Sequence, residues 1–287
     1  MKKHIYIAAG GIFSLVMGMI YSMKWLNSAL KTDGENIKNI SFQQNLAWTY
    51  DNKIKEYVKI DKMESSYNPE DLNMIDFIFD QPKITEDYER IKGFTGPCSI
   101  KNSKRNVDVK ADQSDILFLR KLARKLKFNK RMKMLIKNEE EKIDFNNALG
   151  VHIRLTDMNG IHPEYGILNF NDFEKMIDLI LKEHKEIKTI FVASDNNESI
   201  KKLVNKYSNR IKFIDYLNRC EKESENSYEL QLINHESKEF WEHGFLDMMM
   251  LSKCKYLLHR TSNVANASLV FSDTIIKSYN ISTLNKQ

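Results

Sequence analysis

The chain has 287 residues, enough for two ordinary domains of roughly 140 each. With 42% hydrophobic and 29% charged residues it can bury a sizeable core, which excludes a disordered or low-complexity chain. The net charge is +5, and thirteen Lys/Arg against three Asp fall between residues 101 and 137.

That basic stretch suits the solvated face of a lysine-rich helix, an anionic membrane surface or an acidic acceptor. It lacks the interleaved aromatic residues of a base-stacking platform, so no nucleic-acid partner is expected. Cys98, Cys220 and Cys254 are odd in number and widely spaced, without a metal-ligand pair or a disulfide framework. A reducing, cytoplasmic setting is the expectation, with membrane association at the inner face as its extension.

Lys2-Lys3 and the apolar residues after them resemble a signal peptide or anchor. Gly10-Gly11 interrupts the run, and no small-x-small cleavage site follows. Ile12, Leu15, Val16, Met19, Ile20, Met23, Leu26 and Leu30 then recur at helical spacing. The opening therefore predicts a strand at 4–8, a glycine turn and a one-faced helix over 12–30. Backbone amides at Gly10 and Gly11 could approach an anionic or hydroxyl-rich ligand, although a plain turn explains two glycines equally well.

Residues 39–42 predict a second strand, while 43–112 is irregular, with Pro69, Pro82 and Pro97, and can hold acceptor-binding loops. A helix is expected over 114–144, broken near Phe128-Asn129. From there strands at 149–153, 188–193, 211–215 and 255–258 alternate with helices at 171–184, 197–207 and 240–252. A polar loop lies at 218–238, and a short helix and strand close the chain. Such alternation means a parallel sheet covered on both faces.

Ligands bind past the carboxyl ends of such strands, and three ends carry polar groups. His152, Arg154 and Asp157 close the first; Arg154 is a permanently charged fork able to clamp a diphosphate. The second runs Ile190-Phe191-Val192-Ala193-Ser194-Asp195. In the third, Asp247 interrupts an apolar helix, a strand follows, and Thr261-Ser262-Asn263 sits where a helix should start. Ser and Asn there suit helix caps, and the amides behind them suit phosphate. Met248, Met249 and Met250 read as core filler.

Taken in order, Gly-Val-His-Ile-Arg-x-Thr-Asp, then Ile-Phe-Val-Ala-Ser-Asp, then Leu-Asp-x-x-x-Leu-Ser-Lys-Cys-x-Tyr-Leu-Leu ending in Ser-Asn-Val, the series resembles the nodulation fucosyltransferase and α-1,6-fucosyltransferase superfamily. It is similar, more distantly, to protein O-fucosyltransferases. The resemblance runs from about residue 110 to the C-terminus, and the Gly10-Gly11 opening fits it.

It implies an α/β, GT-B-like fold: two facing Rossmann-like domains with an interdomain cleft, here 1–145 on the acceptor side and 146–287 for the donor nucleotide. It also implies transfer of fucose from GDP-fucose to a glycan or lipid-linked glycan, with inversion and no metal or other cofactor. Under it Arg154 binds the diphosphate, His152 lies beside the nucleotide and Asp247 hydrogen-bonds the guanine. Ser262 and Asn263 contact phosphate, and Asp195 lines the cleft. A carboxylate must help remove the acceptor proton; Asp157, Glu164 and His162 are candidates, with Glu164 preferred.

The chain departs from the pattern at Leu155, where many members carry a second arginine or a glycine. It departs again at Met158, where some have lysine, and at Val264-Ala265-Asn266, where hydroxyl residues are thinned. Fewer cations weaken the diphosphate clamp. Another GDP-sugar donor, or a non-catalytic nucleotide- or glycan-binding module, therefore stays open.

Overall fold

In a computed structural model of the chain, the structure describes residues 2–8, 16–17, 20, 40–45, 48–51, 56–59, 74–80, 88–92, 107–108, 113–157, 159, 167–225, 227, 230, 233–234 and 237–282. The chain begins with β1 (Lys2–Ala8), β2 (Ile40–Asn45), β3 (Trp48–Asp51) and β4 (Glu56–Lys59). A 3-10 turn at Met74–Phe77 precedes β5 (Phe79–Asp80), β6 (Tyr88–Lys92) and β7 (Val107–Asp108). β1 lies between β2 and β6 in a three-stranded parallel sheet, and β3 pairs antiparallel with β4. Of the helix expected over 12–30, the described residues Val16, Met17 and Ile20 are helical and buried; Val16 and Ile20 belong to the expected apolar face, and Met17 is buried in addition to it. Gly10 and Gly11 lie outside the described residues.

The helical run expected over 114–144 divides into α1 (Gln113–Ala123), β8 (Lys127–Phe128) and α2 (Lys130–Glu140). β8 pairs antiparallel with β5. Asn129 makes the break: its Oδ1 accepts the Met132 N–H at 2.8 Å as the cap of α2, and its Nδ2 donates to the carbonyls of Asp76 and Phe77. A local cap and a long-range tether share one side chain.

The second half alternates as its pattern predicts. β9 (Leu149–Ile153), α3 (Phe170–Glu183), β10 (Ile190–Ser194), α4 (Asn197–Tyr207), β11 (Ile211–Lys212), α5 (Lys238–Lys253), β12 (Tyr256–His259), α6 (Asn263–Phe271) and β13 (Lys277–Asn280) follow in order. The strands order β11-β10-β9-β12-β13-β7, with five parallel and β7 antiparallel at the edge. β11 stops earlier than its apolar run suggests. The Ile214 carbonyl is taken by Arg219, and Ile214 and Leu217 turn into the core instead of extending the strand.

The two-residue period of the strands divides the core. Phe191, Ala193 and Leu257 face α5 and α6, whereas Val151, Ile153, Val192 and Leu258 face α3 and α4. Phe77, Phe79, Ile116, Leu119 and Met132 pack on the α5/α6 side. Each fully buried Leu, Ile or Phe contributes roughly 1.5–3 kcal/mol. α5 is buried from Phe245 through Ser252, so Met248 to Met250 fill core as expected.

Candidate functional site

In a parallel sheet built in this order, successive connections leave β9 in one direction and return beside it at β12. The chain from β9 runs out to β10 and β11, then crosses back to β12 and β13. The crevice between the carboxyl ends of β9 and β12 is therefore the topological switch point, where α/β sheets bind ligands. His152 and His259 are paired in register across these two strands. Arg154 follows β9, and Ser262 caps α6 just after β12.

Arg154 is held by Asp157 through two parallel contacts, Nε to Oδ1 at 3.0 Å and Nη2 to Oδ2 at 2.6 Å. A guanidinium has five N–H groups. Three of them, including both on Nη1, have no partner among the described residues, and the side chain keeps 23% of its surface exposed. Burial disfavours the charge of Arg154, but the hydrogen bond and field of Asp157, helped by Asp195, raise its pKa above the usual value. Burial also works against an ionised Asp157, and Arg154 overcomes it, so its pKa falls.

Asp195 does not stand open to a ligand in this arrangement. It accepts from Leu155 N, Thr156 N, the Thr156 hydroxyl and Asn196 Nδ2, tying the segment after β9 to the end of β10. Burial raises its pKa, with Thr156 and Arg154 opposing.

The Ser262 hydroxyl accepts the Ala265 N–H at 3.1 Å as the N-cap of α6, and lies 3.3 Å from His152 Nδ1. Asn263 begins the helix, whose positive end is directed at the switch point. His152 is fully packed. Burial, then the charges of Arg154, His259 and Arg260, drives its pKa well below the imidazole norm, so it is neutral. Asp247, inside α5, meets Arg219 Nη2 through Oδ2 at 3.1 Å, and burial pushes its pKa up to about 6 against the pull of Arg219.

Alternation explains the departure at Leu155. Arg154 projects on the α5/α6 side, while Leu155 is 5% exposed and packed in the α3/α4 core, where an arginine would be misplaced. The neighbouring cation comes instead from β12. Arg260 is wholly buried and donates from Nη1 to the Arg154 carbonyl at 3.0 Å and to Asn159 Oδ1 at 3.1 Å. Asn159 in turn exchanges two hydrogen bonds with the Leu168 backbone, closing the base of the β9–α3 connection.

Sequence reasoning misses Arg260 and Arg219. Arg260 obeys the rule that singles out Arg154, a cation at a strand end. Arg219 sits in a polar loop, and only the fold brings it to Asp247. Glu164, His162 and Met158 lie outside the described residues.

No family model matches the chain, and no curated protein matches it. Solved structures do align. NodZ α-1,6-fucosyltransferase co-crystallised with GDP shares 10% identity at a TM-score of 0.48, covering 95% of this chain and 93% of that chain. Fucosyltransferase NodZ from Bradyrhizobium aligns at 10% identity and a TM-score of 0.48, covering 95% of this chain and 94% of that one. POFUT1 in complex with GDP aligns at 10% identity and a TM-score of 0.45, covering 98% of each chain. These are fucosyltransferases of the kind the motif series resembles.

Elsewhere, a cavity of about 220 Å³ lies at the far end of α6, between Leu126, Phe128, Met249 and Phe271, with the Arg124–Asp273 ion pair at its edge. Two arginines of the basic stretch bind inward, Arg120 to the Leu269 carbonyl and Arg131 to the buried Glu242, whereas Arg124 pairs with Asp273 at the exposed surface. Among the described residues no His/Cys/Asp/Glu group is arranged to hold a metal ion, and no helix is long and apolar enough to cross a membrane. Cys220 and Cys254 are free thiols.

Proposed function

We propose that this chain is an inverting glycosyltransferase that moves fucose from GDP-fucose to a hydroxyl of a glycan acceptor, without a metal ion. The observation that carries the reading is Arg154. It stands at the switch point, oriented by Asp157, with N–H groups still to donate and the N-terminus of α6 beside it. We assign residues 146–287 to the donor nucleotide and 1–145 to the acceptor side, with Gly10 and Gly11 of the latter also counted among the donor-binding residues.

In the transfer, the acceptor oxygen attacks the fucosyl C1 from the face opposite the diphosphate. The bond from C1 to the phosphate oxygen breaks, and its electron pair leaves with GDP. Arg154 and the α6 amides stabilise the charge that grows there; one such contact is worth about 3–4 kcal/mol. Ser262 and Asn263 present the helix end, His152 lies beside the nucleotide as a neutral group, and Asp247 takes the base. Asp195 shapes the crevice by fixing Thr156.

The acceptor proton passes to a carboxylate. Asp157 is poorly suited as that base, because Arg154 holds its pKa down. It orients Arg154, and Glu164 is the assigned base. The basic stretch at 101–137 would keep the enzyme near an anionic inner membrane face and a lipid-linked acceptor.

A second reading follows from the same ion pair. Asp157 already neutralises Arg154, as a nucleotide-binding module without turnover would allow. Donor turnover separates the two. The transferase releases GDP from GDP-fucose only with acceptor present and yields a product of inverted anomeric configuration by NMR. Binding of GDP-fucose with no release across a panel of glycan and lipid-linked acceptors would favour the module.

A further inference from the structure

α5 carries two buried polar atoms with no hydrogen-bond partner, Oδ1 of Asp247 and Nδ1 of His243. The residues are four apart, so they share one face of the helix. Beside them stands Tyr216, its ring 5.1 Å from that of His243 and its side reaching solvent. A buried acceptor left unpaired is costly and asks for a donor.

Arg219 explains how Asp247 holds this position. Its side chain is 3% exposed. Nε donates to the Ser194 carbonyl at 3.0 Å, Nη1 to the Ile214 carbonyl at 2.8 Å, and Nη2 to Asp247 Oδ2 at 3.1 Å. The fork is thus anchored to backbone at the end of β10 and just beyond β11. It grips one carboxylate oxygen, Oδ2, and leaves Oδ1 buried and unpaired. Burial alone favours a protonated Asp247, and Arg219 is the group opposing it.

We propose that Arg219 is the positioning residue for nucleobase selection: by gripping Oδ2 it fixes Oδ1 of Asp247 as an ionised acceptor for a base edge that offers N–H donors. This rests on the reading above, in which a nucleoside diphosphate occupies the switch point and its base reaches Asp247. Guanine offers N1–H and a 2-amino group to such an acceptor. Hypoxanthine offers N1–H alone, and adenine turns a lone pair toward it.

The test is calorimetric titration of GDP, IDP and ADP into wild type, Arg219→Gln, Arg219→Lys and Asp247→Asn, each checked by thermal melting. Wild type should prefer GDP to ADP by about 100-fold, with IDP between, as hydrogen bonds to a charged group allow. Arg219→Gln should weaken GDP about tenfold or more and leave ADP within a few-fold, so that the preference collapses. Arg219→Lys should restore part of it.

Parallel loss of GDP and ADP in Arg219→Gln, or an unchanged ratio in that variant, overturns the proposal. Asp247→Asn leaves Arg219 in place and must collapse the ratio too; a wild-type ratio there overturns the proposal even if Arg219→Gln fails to fold. A folded wild type that binds no nucleotide defeats the transferase reading and this proposal together. One that binds all three nucleotides equally defeats this proposal alone.

Discussion

Arg154 and Asp157 are the first two charged groups after β9, and each holds the other ionised. The Asp157 side chain is 1% exposed, so Arg154→Ala strands a buried carboxylate and should destabilise the protein by about 3–5 kcal/mol. Arg154→Ala/Asp157→Ala should regain most of that loss in urea titrations yet bind no GDP. A double variant as unstable as the single one would refute the pairing argument.

Buried histidines add a pH signature. His259 donates Nδ1–H to the Arg260 carbonyl, takes the Ser278 hydroxyl at Nε2, and is lowered by burial from 6.5 to about 4. Between those values the unfolded chain binds a proton that the folded one refuses, so stability falls as pH drops, by on the order of 3 kcal/mol. His152 acts in the same direction. Asp247 acts oppositely, because its folded value of about 6 exceeds 3.8 and acidification through that window favours the fold. Chemical denaturation between pH 7 and 4.5 should show a net loss, shallower in His259→Asn and steeper in Asp247→Asn. Identical slopes in all three proteins would contradict this assignment.

At the scale of elements, α5 reaches the sheet closely because β9 has Gly150. A Cβ there would meet Cys254 Sγ and Leu251 Cδ2, both at 3.1 Å. Gly150→Ala should cost about 1–2 kcal/mol, since overpacking outweighs the usual gain from losing a strand glycine. Adding Cys254→Ala should recover much of it in a double-mutant cycle; strict additivity would show that the contact does not matter.

These elements also mark what a sequence reveals. β9, α4 and the positions of Arg154 and Ser262 follow from local period and capping, which need only neighbours a few residues away. β5 and β8 are two-residue strands whose pairing joins Phe79 to Phe128, and no local pattern announces them. Arg219–Asp247 and Arg260–Arg154 join residues that are distant along the chain, so their partners become visible only when the sheet is assembled. Asp195 was legible as a strand-end acid, but its use as a tether for Thr156 was not.

For the whole molecule, the strand order places one switch point, and the charged groups that follow β9, β10 and β12 converge near it. Arg154, Arg260, Asp157 and Asp195 nearly cancel in charge, so the net attraction for an anion comes from the α6 terminus and from the N–H groups Arg154 has left. That balance predicts binding of a diphosphate that depends on the fork geometry of Arg154, more than on positive charge alone. The direct measurement is calorimetric titration of GDP into wild type and Arg154→Lys. Wild type should bind in the micromolar range, and the lysine variant, which keeps the charge and loses the fork, at least about tenfold more weakly. Equal affinity in the two proteins, or a folded wild type with no affinity for GDP, would contradict this expectation.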